Sequence, residues 1–286
     1  MNFDKEHQNL INWYPGHMAK GMKEIKENAI LADIFVVVLD ARCPISSYNE
    51  DFDSIAPSKP RLFVITKSDL MDTSKKEMIE KRFKGSKVLW LDLRKQSSRN
   101  IIIKNIEKLT LDKVKKDKAK GLLNPKIKAF VVGIPNAGKS TLINLISQKK
   151  TLKVANYPGV TRSKQWVAID NFFFMDTPGI LLPKQDNQLA ATKLAMIGSI
   201  ETKIFPIQFL ANSFIEVIHA YYPDKFFTNF NINIKQYENL DEITKYNIFN
   251  NIAVLKNFKN NSKIDLNRAY TTFLNWIKEL KGVTYD

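Results

Sequence analysis

The stretch GIPNAGKST, residues 133–141, decides the fold. It matches the pattern G-x-x-x-x-G-K-[ST], in which a loop and the first turn of the following helix point backbone N–H groups at phosphate oxygens. The apolar residues 129–132 before it predict a buried strand, and residues 141–146 after it predict a helix. Lys139 is expected to reach the β- and γ-phosphates, and the Ser140 hydroxyl to hold a Mg²⁺ ion. The residues of this loop expected to contact the nucleotide are Asn136, Ala137, Gly138, Lys139, Ser140 and Thr141.

Basic residues are in excess along the chain. It has 286 residues, with 44 Lys and Arg against 29 Asp and Glu, and a formal net charge of +15. This balance favours a protein that binds a polyanion such as a nucleic acid. The alternative is that some lysines reflect genome composition, since the chain is also rich in Asn and Ile. The length suits one large domain or two medium ones.

The cysteine and histidine content excludes other classes. The single cysteine, Cys43, cannot form an internal disulfide, and His7, His17 and His219 are too scattered to predict a zinc cluster. No apolar stretch approaches the roughly 18 residues of a membrane-spanning helix, and the N-terminus does not resemble a signal peptide. We therefore expect a cytoplasmic protein with no membrane partner.

Two further apolar runs predict strands of the same sheet. Residues 34–40 predict a parallel strand buried on both faces, and residues 62–65 predict a second strand that runs into the loop TKSD. The residues of this loop are Thr66, Lys67, Ser68 and Asp69. TKSD is a close variant of the Asn-Lys-x-Asp motif that reads guanine, although Lys-Ser-Asp is also common in solvated turns. Its position at the end of a strand favours the first interpretation.

Three residues of TKSD have expected roles in binding the base. The Asp69 carboxylate would accept hydrogen bonds from N1–H and the exocyclic amine of guanine, which adenine cannot offer. The Lys67 stem would lie along the plane of the base. Thr66 stands where the motif usually has Asn. We therefore expect this loop to lose the amide that ties it to the phosphate loop, and nucleotide binding to be weaker as a result.

A third predicted strand, residues 88–91, brings another loop to the base. A guanine-binding fold places a small Ser-Ala turn at this point, whereas this chain has DLRK, residues 92–95. We assign Leu91 and Asp92 to the base pocket by their position alone. The basic residues 113–120 predict an exposed connector that leads to the phosphate loop.

Downstream of the phosphate loop, the sequence predicts parts that sense the γ-phosphate. Thr161, in the loop YPGVTR, is a candidate to complete the Mg²⁺ shell. A hairpin predicted for residues 166–175 leads into DTPG, which contains Asp176 and Gly179. Asp176 suits a water-mediated Mg²⁺ contact, and the backbone N–H of Gly179 is expected to approach the γ-phosphate.

The motifs follow an unusual order along the chain. The base loop TKSD (66–69) comes first, and the phosphate loop (133–141), the threonine loop YPGVTR (157–162) and DTPG (176–179) follow it. Circular permutation accounts for this order, because these loops share one edge of a sheet and the fold tolerates relocated termini. The sequence therefore predicts an α/β fold. We expect a circularly permuted P-loop GTPase domain with a mostly parallel sheet, followed by a smaller all-α domain.

In this order the motifs resemble those of one family, the circularly permuted GTPases called ribosome biogenesis GTPase A or YlqF/RbgA. The stretches that carry the resemblance are WYPGHMAK (13–20), LDARCPISS (39–47), TKSD (66–69), GIPNAGKST (133–141), YPGVTR (157–162), DTPGILLPK (176–184) and LNRAYTTFLNWIKELKGV (266–283). The resemblance implies a GTP/GDP switch with slow turnover that is stimulated on the ribosome. It also implies a role in late assembly of the bacterial large ribosomal subunit.

The resemblance implies two further roles in hydrolysis. Asn136 would help to bind a K⁺ ion, which supplies positive charge at the transition state in place of an arginine finger. Many GTPases carry a water-orienting Gln after the glycine of this turn, but this chain has Ile180, which cannot orient water. The family's candidate is a histidine that corresponds to His17, so the expected catalytic residues are His17 and Lys139. The alternative is that His17 only caps or packs the first helix.

Beyond residue 184 the sequence predicts helices and no further alternating strand. The predicted helices cover residues 187–197, 211–222, 238–252 and 265–281. Resemblance to the family's RNA-contacting domain implies that this part binds ribosomal RNA through phosphates and shape. We therefore expect a GTPase domain at residues 1–184 and a helical RNA- and ribosome-binding domain at residues 185–286. The whole is expected to be a monomer that binds GTP, GDP and the large-subunit precursor.

Two other classes of function stay open from the sequence. A P-loop ATPase or kinase would carry the same phosphate loop, although Asp69 argues against it. An RNA-binding assembly scaffold with a weak or vestigial nucleotide site is favoured by the departures at Thr66, Asp92 and Ile180.

Overall fold

A six-stranded sheet forms the centre of the molecule. The computed structural model describes residues 16–148, 165–180 and 188–286. The strands are β1 (Ile34–Asp40), β2 (Arg61–Thr66), β3 (Lys87–Trp90), β4 (Ile127–Val132), β5 (Gln165–Ile169) and β6 (Phe172–Asp176). Their order is β3-β2-β1-β4-β6-β5, and every pair is parallel except the hairpin of β5 and β6. The predicted mostly parallel sheet is confirmed.

The strand register brings the motif loops to one edge of the sheet. Asp40 at the end of β1 pairs with Thr66 at the end of β2. Likewise, Val131 of β4 pairs with Asp176 at the end of β6. The chain runs from β1 outward to β2 and β3, and it then returns to β4 on the other side of β1. The strand order therefore reverses between β1 and β4, the point at which such sheets bind ligands.

Helices cover both faces of the sheet and form the C-terminal part. The helices are α1 (Gly16–Asn28), α2 (Asp51–Ser54), α3 (Lys76–Arg82), α4 (Ser97–Leu109), α5 (Leu111–Ala119), α6 (Lys139–Ser147), α7 (Gln188–Met196), α8 (Ile207–Tyr221), α9 (Pro223–Phe230), α10 (Glu242–Leu255) and α11 (Leu266–Glu279). The connector predicted for residues 113–120 is exposed, as expected, but most of it is helical because it lies in α5. Lysine is a good helix former, and Lys113 pairs with Asp117 one turn later at 2.8 Å.

Alternate residues of the strands face two hydrophobic cores. In β1, Val36 and Val38 pack into one core, and Val37 and Leu39 pack into the other, because successive side chains of a strand point to opposite faces. The first core is shared with α4 and α6 and continues into α7–α11. The second core contains Met22 of α1 and residues of α3. The sheet and the C-terminal helices thus share one apolar interior.

The last helix, α11, shows why the C-terminal part folds onto the rest. It carries a stripe of apolar residues one turn apart, and Ala269, Phe273 and Ile277 of this stripe are buried. The helix begins after Asp265, whose side chain accepts a hydrogen bond from the backbone N–H of Arg268 at 3.1 Å. The stripe therefore faces the first core.

Two elements of the C-terminal part were not predicted. Helix α9 begins at Pro223, because proline is favoured in the first turn of a helix. A hairpin of two-residue strands, β7 (Lys259–Asn260) and β8 (Lys263–Ile264), joins α10 to α11. In the described ranges, no helix is long and apolar enough to cross a membrane. The predicted boundary between residues 184 and 185 lies outside the described residues.

The last five residues, 282–286, form what we call the C-terminal segment, which packs between the C-terminal helices and the sheet. The N–H of Val283 donates to the carbonyl oxygen of Leu70, just beyond the base loop, at 3.0 Å. The Asp286 carboxylate accepts a hydrogen bond from the N–H of Ile45, in the loop after β1, at 2.8 Å. The segment therefore connects the two parts of the molecule beside the base loop.

Candidate nucleotide site

The phosphate loop, residues 133–141, connects β4 to α6 at the point where the strand order reverses. Gly133 has a φ of +146°, and a Cβ at this position would lie 2.2 Å from the carbonyl oxygen of Val38 in β1. Only glycine fits there, because a side chain would collide with the backbone of the neighbouring strand. Gly138, with a φ of +102°, directly precedes α6. The predicted strand, loop and helix are confirmed.

Lys139, the first residue of α6, is a buried cation within this loop. Its Nζ donates hydrogen bonds to the carbonyl oxygens of Gly133, at 3.1 Å, and Ile134, at 2.9 Å. Burial lowers the pKa of Lys139 to about 8, and the nearby Asp176 carboxylate opposes this shift. The ammonium group is thus held against the loop backbone, where the predicted phosphate contact needs it.

Ser140 and Asp176 meet beside Lys139. The Ser140 hydroxyl donates to Asp176 Oδ2 at 2.7 Å. The other oxygen, Oδ1, has no hydrogen-bond partner among the described residues although Asp176 is buried. Burial raises the pKa of Asp176, while Lys139 and Ser140 oppose the shift. A buried carboxylate with one unpaired oxygen beside a hydroxyl fits Mg²⁺, which takes oxygen ligands and keeps several waters.

The DTPG turn after β6 lies against the phosphate loop. A Cβ on Gly179 would lie 2.5 Å from the backbone nitrogen of Pro135. The N–H of Ile180 donates to the carbonyl oxygen of Gly133 at 3.2 Å. The Ile180 side chain is buried in the second core. Close backbone approach therefore fixes this turn beside the loop that is expected to bind phosphate.

Two side chains tie the base loop to the phosphate loop. Thr66 Oγ1 donates to the carbonyl oxygen of Ala137 at 2.6 Å. Lys67 Nζ donates to the carbonyl oxygen of Asn136 at 2.9 Å and to Asp40 Oδ2 at 2.7 Å. The expectation that the base loop loses its connection to the phosphate loop because Thr66 replaces Asn is therefore wrong. The hydroxyl is long enough to reach the phosphate loop because the two loops follow strands on either side of β1.

Asp40 anchors this corner of the site. Its buried carboxylate contacts Lys67 Nζ at 2.7 Å and Arg42 Nη2 at 2.9 Å. Burial alone would raise the pKa of Asp40, but the two cations hold it well below its ordinary value. Asp40 is therefore ionised and fixes the direction of Lys67. Sequence reasoning gave Asp40 no role, although an acid at the end of a buried strand was the available signal.

The loop after β3 lies next to the base loop, as its position predicts. The N–H of Ser68 donates to the carbonyl oxygen of Leu91 at 3.3 Å. Arg94 Nη2 lies 2.8 Å from Asp69 Oδ2, and the same guanidinium donates through Nε and Nη2 to the two oxygens of Asp92, both at 2.9 Å. The hydrogen bond from Arg94 lowers the pKa of Asp92. Sequence reasoning missed Arg94, which stands where a small turn was expected.

A turn of the C-terminal part, residues 197–199, touches the phosphate loop. Asn136 Nδ2 donates to the carbonyl oxygen of Gly198 at 2.6 Å, and Ser199 Oγ donates to that of Pro135 at 2.9 Å. Asn136 is the residue predicted to bind K⁺. A cation would use the amide oxygen of Asn136, whereas this contact uses the nitrogen. No sequence pattern indicated that residues 197–199 reach the site.

The two remaining predicted residues are His17 and Thr161. Thr161 and its loop lie outside the described residues, as does the side chain of His17. The backbone of His17 belongs to α1, one turn before Gly21. A Cβ on Gly21 would lie 3.4 Å from Cβ of Pro178 in the DTPG turn. Gly21 of α1 therefore lies beside the DTPG turn.

Comparison with known proteins agrees with this geometry. A family model described as 50S ribosome-binding GTPase matches residues 128–248. Ribosome biogenesis GTPase A of Bacillus cereus is 36% identical over 227 residues, which cover 78% of this chain and 77% of that protein. Probable ribosome biogenesis GTPase A of Mycoplasma pneumoniae is 35% identical over 200 residues, covering 69% and 70%. A GDP-bound structure of YlqF shares the fold, with a TM-score of 0.63 and 22% identity over 92% of this chain and 98% of that one.

The fold and the site define a P-loop GTPase whose motifs follow a circularly permuted order. This class of enzyme hydrolyses GTP, typically with Mg²⁺. On its identity to those relatives, the chain belongs to the ribosome biogenesis GTPase A family. Neither the ATPase or kinase alternative nor the scaffold with a vestigial site is favoured by this membership.

Proposed function

We propose that this chain is a GTP-driven switch that binds the precursor of the large ribosomal subunit and promotes its late assembly. The observation that carries the proposal is the meeting of base loop, phosphate loop and DTPG turn at one edge of the sheet. The names of the relatives and a net charge of +15 support a ribosomal partner rich in phosphate. In this proposal the protein acts as a monomer in the cytoplasm.

We assign the two functions to the same parts of the chain that the sequence predicts for them. Residues 1–184 would bind and hydrolyse GTP, and residues 185–286 would contact ribosomal RNA. In the base pocket, Asp69 would read the guanine edge and Lys67 would lie along the ring. The remaining proposed contacts to the base pocket are Thr66, Ser68, Leu91 and Asp92.

For hydrolysis we propose that backbone N–H groups of residues 136–141 and the Lys139 ammonium hold the β- and γ-phosphates. Ser140, Thr161 and Asp176 would hold Mg²⁺, the last through water, and the ion would neutralise charge on the phosphates. His17 would orient a water molecule for attack on the γ-phosphorus. As the bond forms between the water oxygen and the γ-phosphorus, the bond between the γ-phosphorus and the bridging β-phosphate oxygen would break. GDP and inorganic phosphate would then leave. A K⁺ ion held with the Asn136 oxygen would add positive charge there.

The contact of residues 197–199 with the phosphate loop supports a coupling between nucleotide and RNA binding. Asn136 has its amide nitrogen on the Gly198 carbonyl oxygen, and Ser199 contacts Pro135. A nucleotide or K⁺ that reorients Asn136 would change this contact. We propose that the C-terminal part responds to the nucleotide state in this way, in addition to its covalent connection to the DTPG turn.

Sedimentation with large-subunit precursors tests this function. We expect binding with a non-hydrolysable GTP analogue to be at least about tenfold tighter than with GDP, the range of ordinary coupling between sites. ATP analogues should have no effect. An Asn136→Ala variant should keep RNA binding but reduce the difference between the two nucleotide states. Identical binding in GDP and in the GTP analogue would overturn the switch.

The proposed role of His17 is tested by turnover. His17→Ala should lower kcat about 100-fold, the usual contribution of a positioned acid or base, while GDP affinity stays unchanged. His219→Ala is the control, since His219 lies in α8 and contacts the carbonyl oxygen of Tyr237. Equal kcat in the two variants would assign His17 to packing.

A further inference from the structure

The base pocket contains a linked set of three charged side chains, Asp92, Arg94 and Asp69. Arg94 is bound to Asp92 through two hydrogen bonds of 2.9 Å, and its own backbone N–H donates to Asp92 Oδ1 at 3.0 Å. A further bond of 2.8 Å joins its Nη2 to Oδ2 of Asp69. Arg94 is thus held at one end and contacts the predicted guanine-reading carboxylate at the other.

The hydrogen bonds between Arg94 and Asp92 fix the orientation of Arg94 toward Asp69, although the Arg94 side chain is exposed. Asp92 is largely buried, and its carbonyl oxygen accepts a hydrogen bond from Ser98 of α4 at 2.8 Å. A bidentate carboxylate fork fixes the plane of a guanidinium, so Arg94 cannot swing freely. The position of Asp69 is therefore connected to the framework of the sheet and α4.

From this arrangement we infer that Arg94 is a positioning residue for guanine selectivity, which acts by holding the Asp69 carboxylate oriented toward the base. The inference rests on the proposed reading of guanine by Asp69. Arg94 uses one N–H on one oxygen of Asp69, and a carboxylate has about four acceptor positions. Enough acceptor capacity remains for two donors on the edge of the base. An acceptor that is already oriented loses less entropy on binding than a free side chain.

The arrangement also gives a physical reason for the unusual sequence DLRK. A guanine-binding fold has a small turn here, whereas this chain has an Asp92–Arg94 pair that reaches back to the base loop. The pair Asp92–Arg94 is neutral overall, so it adds no net charge beside the carboxylate of Asp69. In this view Asp92 supports the base pocket through Arg94.

The test compares Arg94→Ala with Lys95→Ala, which removes the same charge from an adjacent exposed position. Arg94→Ala should bind GDP about three- to fivefold more weakly, as expected for loss of an exposed ion pair. Binding of inosine diphosphate, which lacks the exocyclic amine, should weaken less, so the preference for GDP over it should fall. Competition by inorganic pyrophosphate, which uses only the phosphate loop, should stay unchanged. Lys95→Ala should change none of these quantities.

A double-mutant cycle tests the link through Asp92. Asp92→Asn should lower the GDP preference by a similar factor, and the double variant should be no worse than Arg94→Ala, because both changes remove one connection. Added salt should reduce the difference between the wild type and Arg94→Ala. Unchanged or tighter GDP binding by Arg94→Ala would refute the inference. A wild-type protein with no preference for GDP over ADP would instead refute the proposed function.

Discussion

The phosphate end and the base end of the site differ in how their charges are held. At the phosphate end, Lys139 is 6% exposed and Asp176 is 1% exposed, and backbones approach closely at two glycines. At the base end, the Arg94 side chain is 73% exposed and that of Asp69 is 26% exposed. The proposed phosphate contacts therefore lie in a buried, close-packed corner, whereas the proposed base-reading residues lie in a solvent-accessible ion-pair network.

Because of this difference, we expect substitutions at the two ends to have effects of different size on stability and nucleotide affinity. A change in a close-packed backbone corner disturbs the fold and the site together. Loss of one exposed ion pair, such as that of Arg94, alters affinity by a small factor because water and salt screen each charge. Loss of the base-reading carboxylate itself would remove the charged acceptor and have a larger effect. We expect substitutions at the phosphate end to be severe and those at the base end to be graded. Four predictions follow from this contrast, in order of decreasing effect.

Gly133→Ala should have the largest effect. Its Cβ would lie 2.2 Å from the Val38 oxygen, and its φ is positive. Strain of about 1–2 kcal/mol from φ and about 1–3 kcal/mol from overpacking should together lower the free energy of unfolding by about 3 kcal/mol, with GDP binding abolished. Gly85→Ala is the control, because Gly85 also has a positive φ but a Cβ there meets nothing within 4 Å. Chemical denaturation with and without GDP measures both. Equal losses would mean that the close approach to β1 is unimportant.

Asp69→Asn should have the next largest effect, at the base end. An amide can accept but offers no charge, so GDP affinity should fall at least about 100-fold. Xanthosine diphosphate, which has an oxygen in place of the amine, should bind better than GDP. Asp112→Asn, an exposed change in α5, serves as the control. Calorimetric titration with both nucleotides measures the shift. A variant that still preferred GDP would remove Asp69 from the base pocket.

The lowered pKa of Lys139 predicts a pH dependence at the phosphate end. Bound phosphate favours the ammonium form, so binding should take up a proton where the free lysine is partly neutral. GDP affinity should then fall about tenfold per pH unit above pH 8. Between pH 8 and 10.5 the unfolded chain holds this proton more tightly, so the free energy of unfolding of the free protein should rise with pH.

Lys139→Arg provides the control for this prediction. A guanidinium stays charged throughout the range, so the variant should bind GDP more weakly but with little dependence on pH between about 7 and 9. Titrations in buffers of different ionisation enthalpy count the protons taken up. An equal pH dependence in both proteins would assign it to another group.

Thr66→Val should have the smallest effect. It removes the hydroxyl that donates to the Ala137 carbonyl oxygen and should weaken GDP binding about fivefold, the value of one hydrogen bond. Thr110→Val is matched to it, because Thr110 is also buried and, directly after α4, donates to the carbonyl oxygen of Ile106 at 2.8 Å. Both variants should lose similar stability in thermal unfolding. Only Thr66→Val should change the affinity, and equal GDP affinities would show that the tie has no role in binding.

Much of the fold was predictable because parallel strands that are buried on both faces have continuous apolar sequences. Residues 34–40 are predicted and observed as the same strand, β1. The phosphate loop, the base loop and DTPG follow the ends of such strands, so their meeting at one edge follows from the topology. Family membership and the permuted order were accessible for the same reason, since both depend on local motifs.

The contacts that the sequence did not disclose are long-range. Arg94 reaches Asp69 across two loops, and Asn136 reaches Gly198 in the C-terminal part. Such pairs depend on how elements pack, which no local pattern records. The basic residues 113–120 were misjudged for a different reason. Their charge suggested a solvated connector, yet lysines favour a helix when an acid lies one turn away.

The contacts of the C-terminal segment affect how the protein folds. The hydrogen bond between Ile45 and Asp286 joins residues 241 positions apart, and Val283 binds Leu70 just beyond the base loop. Contacts of such separation slow folding, because a long stretch of chain must be ordered before they form. The loop after β1 and the chain just beyond the base loop therefore reach their final packing only after residues 282–286 have been ordered against them.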